Sequence, residues 1–333
     1  MFPHDRVIVR RGPESGVPII VAVHSTALGP ALGGCRMKAY PDWRDGLEDA
    51  LRLSAAMSEK CALAGLPHGG GKTVVVATGA FDRDAALRDV GTVIEELGGA
   101  YWTGPDVGTG PADMLTIGER TRHVFCRPVA AGGSGDSSPA TAAGTVAALR
   151  AVCGDLPGRS FAVLGLGHVG ARVARLLAEA GAKLVLSDVD PARREVAGEL
   201  GADWVTPDEC LTAPVDVLVP AALGGVLTAE VVPRLRCAAV AGPANNQLAG
   251  PAVADLLHER GILWAPDSVV SAGGVIGATG AELRHESPAE VTARLDGIAA
   301  TLTGIFATAE REGVTPAAAA AAEARRRMAA ARS

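Results

Sequence analysis

FAVLGLGHVGARVARLLAEAGAKLVLSD, residues 161–188, is the stretch on which the fold turns. A short apolar run, Phe161 to Leu164, leads straight into Gly165-Leu166-Gly167-His168-Val169-Gly170, and a helical pattern follows. Gly165 permits a tight turn, Gly167 lets the backbone approach a pyrophosphate, and Gly170 allows helix and strand to pack closely. The helix start then offers free N–H groups and a positive dipole end to phosphate. Asp188 closes the next apolar run, KLVLS, where a carboxylate would hold the hydroxyls of an adenosine ribose. Strand, glycines, helix and acid together predict a dinucleotide site rather than a structural glycine turn. Asp188 would repel a 2′-phosphate, and Ser187 and Val189 bring no positive charge, so NAD is favoured over NADP.

Downstream the alternation continues. PARREVAGELG (191–201) reads as a helix, and VDVLVPA (215–221), CAAVAGPA (237–244) and ILWAP (262–266) read as further strands between helical stretches. Short apolar strands alternating with helices predict a parallel sheet covered on both faces. Upstream the pattern differs. VIV (7–9) and PIIVAVH (18–24), separated by GPESG, read as a hairpin. The Gly-rich GPALGGCRM (29–37) precedes a buried helix, EDALRLSAAMSEKCALAG, that ends near Gly65. TVVVAT (73–78) reads as a buried strand, residues 84–98 as a helix and 100–103 as a short strand. AAGGSGDSSPAT (130–141) is a loop by composition, closed by a helix start with Ser138 as N-cap and Pro139 next. Ser287-Pro288-Ala289-Glu290 is a capping box that opens a long helix to about Glu312. The expectation is an α/β chain of two domains with a cleft between them. Residues 1–132 form an N-terminal α/β domain, residues 133–313 the Rossmann domain, and a last helix, about 314–333, packs back on the first.

Composition narrows the function classes. A chain of 333 residues with 48% hydrophobic residues has length and apolar content for about two packed domains. The net charge of −6, with no basic run beyond Arg325–Arg327, argues against nucleic acid as a partner. No apolar run reaches the roughly 20 residues that span a bilayer. The six cysteines show no CxxC spacing and no grouping with His, which reads as reduced, mostly buried thiols and no metal site. MFPHDRVIVRR contains no signal-like stretch, so a cytoplasmic protein is expected.

HGGGKTVVV (68–76) carries the tail of a phosphate loop, but the required earlier glycine is missing, with Leu66 in its place. The glycines instead bring backbone close to a ligand and leave Lys72 facing a cleft. Lys60 lies near the end of the preceding helix. Two ammonium groups at one small cavity repel, and burial further disfavours charge, so one of them becomes a base near neutral pH.

At this point a family is recognisable. GPALGGCRM (29–37), ALRLSAAMSEK (50–60), AGLPHGGGKTVVV (64–76), TGPDVGT (103–109), SGDSSPATAAG (134–144), GLGHVG (165–170), AALGG (221–225), AGPANNQLA (241–249), ILWAPD (262–267) and AGGVI (272–276) run collinearly over nearly the whole chain. In these segments the chain resembles the Glu/Leu/Phe/Val dehydrogenase family, above all its leucine, valine and phenylalanine members. The resemblance implies NAD-dependent, reversible oxidative deamination of a hydrophobic L-amino acid to its keto acid and ammonia. It implies Lys72 and Asp106 as catalytic residues, and Lys60 on the substrate carboxylate. Gly33 and Gly34 would line the substrate site, with Leu32, Gly104, Val275 and Ala278 near the side chain. Thr141 would hold the carboxamide of the nicotinamide; Asn245 and Asn246 would lie near its ring and ribose, Asn246 also near the substrate. Ala221 and Ala222 join residues 165–170 and Asp188 in the cofactor set. A homo-oligomer, at least a dimer, is expected.

Some positions depart from the family pattern. Ser271 stands where Asn is usual, Cys35 where Thr is usual, Ala221 where Cys is usual, and Glu59 where an aromatic is usual. Small Gly104 and Ala278 leave an aromatic and an aliphatic side chain equally open. Ser271 and Glu59 also keep a second reading in view, a catalytically altered NAD-binding homologue with a regulatory or specialised role. A hydroxy-acid dehydrogenase is disfavoured, because no His sits in a recognisable catalytic setting; His68 and His168 read as structural or phosphate-adjacent.

Overall fold

The computed structural model describes residues 3–331. The chain divides into two compact units. Unit 1 holds residues 1–136, 278–287 and 324–333; unit 2 holds 137–277 and 288–323.

Unit 1 contains β1 (Arg6–Arg11), β2 (Pro18–Ser25), β3 (Ala31–Lys38), α1 (Trp43–Leu63), β4 (Gly69–Val76), α2 (Arg83–Glu95), β5 (Tyr101–Pro105) and α3 (Pro111–Gly118). Its sheet runs β1-β2-β4-β3-β5. The β1/β2 hairpin is antiparallel, β2 and β4 are antiparallel, and β3 pairs in parallel with both β4 and β5. Both faces are covered, which is why PIIVAV of β2 and VVV of β4 read as unbroken apolar runs. Ile19, Val21, Val23, Cys35, Met37 and Val75 pack with residues of α2 and α3. Ile20, Ala22, Val74 and Val76 pack with Ala50 of α1. Alternation along a strand therefore assigns even-numbered residues of β4 and β3 to the α1 face.

Two glycine-rich stretches that carry no strand signal in the sequence are strands. GGGK belongs to β4, buried throughout, and ALGGCRM is β3. The glycines are there for backbone approach. A Cβ on Gly70 would lie 2.0 Å from the Ser58 nitrogen of α1, and one on Gly33 would lie 1.8 Å from the Gly71 carbonyl oxygen. Helix α1 begins at Asp42, whose side chain accepts from Arg44 N–H in a capping box with Asp45, and it gives way at Ala64 to Gly65 at φ +64°.

Unit 2 begins with α4 (Ser138–Cys153), followed by β6 (Ser160–Leu164), α5 (His168–Glu179), β7 (Lys183–Ser187), α6 (Arg194–Leu200), β8 (Asp203–Trp204), α7 (Pro207–Leu211), β9 (Val217–Pro220), β10 (Ala239–Val240), α8 (Ala252–Glu259), β11 (Leu263–Trp264) and α9 (Asp267–Val270). Its strands are all parallel, in the order β11-β10-β9-β6-β7-β8. This is the doubly wound order, with the reversal between β6 and β9. The α4 N-cap is Ser137, one residue before the Ser138 expected, and its side chain makes no cap bond. α10 (Gly273–Ala278) ends at the return to unit 1; α11 (Pro288–Glu312) and α12 (Pro316–Ala330) follow. The last turns of α12 count with unit 1, where Arg327 donates to the Ala62 and Leu63 carbonyls at 2.9 and 3.0 Å.

Among the described residues, no helix is long and apolar enough to cross a membrane.

Candidate active site

In unit 1, Lys72 is an even-numbered residue of β4 and so lies on the α1 face. It is only 5% exposed. Its Nζ donates to Asp106 Oδ2 at 2.6 Å. Asp106 sits in the turn after β5, and three bonds fix that turn. Met37 N–H donates to the Val107 carbonyl at 2.9 Å, Asp106 N–H to Thr109 Oγ1 at 3.0 Å, and Thr109 Oγ1 to the Cys35 carbonyl at 2.7 Å. Gly108 stands at φ +82°, a conformation that suits glycine.

The same carboxylate oxygen takes a second cation. Arg36 Nε donates to Asp106 Oδ2 at 2.8 Å, and Arg36 Nη1 donates to Asp49 Oδ2 of α1 at 2.8 Å. Tyr40 OH also donates to Asp49 Oδ2, at 2.7 Å. The sequence alone gives no role to Arg36, Tyr40, Asp49 or Thr109. The signal for Arg36 is the alternation Leu32, Gly34, Arg36 along β3, which puts a guanidinium on the Lys72 face.

Burial dominates the Lys72 amine and lowers its pKa; Asp106 opposes this and Arg36 reinforces it. The cation that bears most on Lys72 is thus Arg36, not the Lys60 expected. Burial alone would raise Asp106, but Lys72 and Arg36 outweigh it and hold its carboxyl down at about 2. The Cys35 thiol, fully buried, is pushed up to about 12 and stays protonated. The geometry offers a carboxylate that remains ionised beside an amine that gives up its proton more readily than an ordinary lysine.

The other expected residues of this unit fall as follows. Lys60 is half-buried in the last turn of α1, two residues past the Ser58 that rests on Gly70; neither it nor Glu59 is without partners. A Cβ on Gly34 would lie 2.7 Å from Asp106 Cβ and 3.3 Å from Lys72 Nζ, so Gly34 borders the pair directly. Gly33 does not; its side faces the β4 backbone. Leu32 is wholly buried. Gly104 opens no space in its side-chain direction, because a Cβ there would sit 2.8 Å from the Phe125 ring. Neighbours have refilled the room that its small size suggested. Ala278 is 4% exposed, and Val275, in unit 2, is half-buried. His68 shares its Nδ1 with the Pro30 carbonyl at 3.2 Å.

In unit 2, the turn after β6 lies at the topological switch point. Gly165 has φ +103°, and a Cβ on it would collide with Ala222, 2.5 Å away in the segment after β9. A Cβ on Gly170 would lie 1.9 Å from the Gly165 carbonyl oxygen and 3.1 Å from Ala221 Cβ. Gly167, by contrast, has nothing within 4 Å of its side-chain direction. It and His168 are exposed at the N-terminus of α5, and Val169 is half-buried. An open, unhindered helix start at a switch point fits a dinucleotide pyrophosphate.

Asp188 stands at the end of β7, with Oδ2 accepting the Leu166 N–H at 2.5 Å and Oδ1 accepting the Asp190 N–H at 2.9 Å. Leu166 is therefore a structural member of the turn: its side chain is buried and its N–H is engaged. Thr141 is half-buried and donates to the Ser137 carbonyl at 2.9 Å. Asn245 is exposed, and half-buried Asn246 adopts φ +53°. Ser271 Oγ lies 3.1 Å from Asn245 Oδ1 and 2.5 Å from the Asp267 carbonyl. Its single proton serves one of these acceptors at a time. Among the described residues no His, Cys and acid cluster could hold a metal ion.

A doubly wound dinucleotide fold, carried in one chain with a buried lysine–carboxylate pair, defines a nicotinamide-dependent dehydrogenase. Residues 4–123 match the dimerisation domain of the Glu/Leu/Phe/Val dehydrogenases, and residues 186–333 match the Glutamate/Leucine/Phenylalanine/Valine dehydrogenase domain. The chain belongs to the Glu/Leu/Phe/Val dehydrogenase family and is an amino-acid dehydrogenase. It is 39% identical to leucine dehydrogenase of Thermoactinomyces intermedius, over 94% of this chain and 87% of that one. It is 39% identical to phenylalanine dehydrogenase of Caldalkalibacillus thermarum, over 94% and 88%. The crystal structure of L-tryptophan dehydrogenase from Nostoc punctiforme superposes with a TM-score of 0.86 at 35% identity, covering 99% of this chain and 96% of the other.

Proposed function

We propose that this dehydrogenase oxidises a hydrophobic L-amino acid to its 2-keto acid and ammonia with NAD, and that Lys72 and Asp106 carry the proton chemistry. The observation that carries this reading is the buried amine 2.6 Å from a carboxylate held ionised. Leucine, phenylalanine and tryptophan dehydrogenases among the similar proteins support a hydrophobic substrate. No cation among the expected side-chain residues Leu32, Gly104, Val275 and Ala278 would receive an acidic side chain. Phe125 over Gly104 favours the smaller, aliphatic occupants on that side.

The residues act as follows. Lys60 binds the substrate carboxylate. Asp106 takes a proton from the substrate ammonium, so that the nitrogen lone pair can drive hydride loss. A bound nicotinamide would supply the acceptor for the Cα hydride. Lys72, uncharged, removes a proton from water as the oxygen adds to the iminium carbon. Asp106 then returns that proton to nitrogen. The C–N bond of the carbinolamine breaks, and the hydroxyl proton passes to the departing ammonia as the C=O bond forms. Ammonium and the keto acid leave, after which Lys72 loses its extra proton to solvent. Each transfer needs a group in hydrogen-bond reach of the reacting atom, and burial leaves the Lys72 amine uncharged, ready to accept a proton, at a lower pH than an ordinary lysine's. Thr141, Asn245 and Asn246 would hold the nicotinamide end of the cofactor, and residues 165–170 its pyrophosphate. Asp188 would accept from the ribose and repel a 2′-phosphate, which makes NAD the cofactor.

We place the protein in the cytoplasm and read it as a homo-oligomer. The free edge of β1, with Val9 46% exposed, leaves unit 1 a strand edge for a second copy.

A panel of the twenty amino acids with NAD and NADP, followed by reduced-cofactor absorbance, tests the reading. Turnover should be confined to hydrophobic L-amino acids and to NAD. Silence across the panel with NAD still bound would favour an altered, non-catalytic homologue instead.

A further inference from the structure

We infer that Arg36 is a positioning residue of this reaction: it grips Oδ2 of Asp106, is itself anchored by Asp49, and leaves Oδ1 for the substrate amine. The inference rests on the proposed roles of Lys72 and Asp106 and adds a third group to them.

The geometry carries it. Arg36 lies on β3 beside β4, paired in register with Val74, and its side chain is 17% exposed. It spans two carboxylates, with Nε on Asp106 and Nη1 on Asp49, each at 2.8 Å. Asp49 is held in turn by Tyr40 at 2.7 Å and Arg52 at 2.6 Å. A planar guanidinium fixed at two points constrains the carboxylate it holds, as a flexible ammonium does not. Among the described residues no hydrogen bond is made to Asp106 Oδ1, so that oxygen remains for the substrate.

Charge gives the chain of effect. A guanidinium does not deprotonate in proteins. Two cations share one carboxylate oxygen, and only Lys72 can relieve the excess by losing its proton. The charged and titratable groups around Lys72 are few. β3 supplies Arg36 and the protonated Cys35 thiol, and the turn after β5 supplies Asp106. β2 carries His24, bonded to Ser58 at 2.8 Å, and α1 carries Asp49, Arg52, Glu59 and Lys60. Removing the Arg36 charge stabilises the Lys72 ammonium. Removing the Asp49 charge destabilises it.

The test is the pH profile of kcat/KM for oxidative deamination, whose acidic limb follows loss of the Lys72 proton. Arg36→Gln should move that limb to higher pH by about one unit, the scale of a single close charge, with activity recovered above it. Arg36→Lys keeps the cation and should leave the limb near wild type, at a lowered kcat from the lost two-point grip. Asp49→Asn should move the limb to lower pH, and this opposite displacement carries the test even if Arg36→Gln does not fold. An unmoved limb in Arg36→Gln, or in Asp49→Asn where the former cannot be measured, overturns the inference. Lys72→Ala separates the two readings. If it turns over normally, the proposed mechanism falls; if it is dead while the limb stays fixed in the other variants, only the role of Arg36 falls.

Discussion

Asp106 receives two cations on one oxygen, and Gly34 is what lets them meet. A methyl at residue 34 would stand 2.7 Å from Asp106 Cβ and 2.9 Å from the Pro105 carbonyl oxygen. The turn that holds Asp106 would have to shift. Displacements of about 1 Å at reacting groups cost about a hundredfold in rate. Gly34→Ala should therefore lower kcat/KM by about that factor, with a loss of melting temperature as in other overpacked sites. Steady-state kinetics beside a thermal melt, at a temperature where the variant is folded, check this; unaltered kinetics would contradict the packing described. Lys72 and Asp106 were legible in the sequence through the family resemblance, and Lys72 also through its apolar, glycine-flanked setting. Arg36 was not. Its strand contains two adjacent glycines, composition that signals a turn, and only the burial of β3 between β4 and β5 reveals the period-two pattern that places Arg36 beside Lys72.

Glycines explain the elements as well, and they do so in two opposite ways. Gly70 lies under α1, where a Cβ would come within 2.0 Å of the Ser58 nitrogen, in a place with no room to give. Gly167 opens onto free space. Gly70→Ala should destabilise the fold by at least ~1–3 kcal/mol, the usual cost of overpacking. Gly167→Ala should leave stability unchanged and weaken dinucleotide binding, because only a bound pyrophosphate would meet the added methyl. Chemical denaturation and cofactor titration of both variants read this out, and equal stability losses in the two would show the assignment of the glycines to be wrong. Five of the six strands of unit 2 were readable because each is short, apolar and followed by a turn signal; β8, only Asp203–Trp204, carries no such run. The GGGK strand was not, since sequence composition cannot show that a neighbouring backbone fills the space a side chain would take.

At the scale of the whole molecule, one unit holds a buried lysine–carboxylate pair, proposed as the acid–base pair, and the other a doubly wound sheet with an open helix start at its switch point. Hydride transfer needs the second, and the hydrolysis of an imine needs the first. The parallel sheet of unit 2 followed from the alternation of elements along the chain, and the mixed sheet of unit 1 did not, because its parallel β3–β4 pairing joins strands separated by α1. The proposed chemistry depends on the Lys72 amine as the base. Its most direct test compares Lys72→Ala with the unaltered protein in NAD-dependent oxidation of a hydrophobic L-amino acid, with NAD binding measured on the same samples. The expected result is NAD bound with unchanged affinity and turnover lowered to background. Turnover at the rate of the unaltered protein would contradict it.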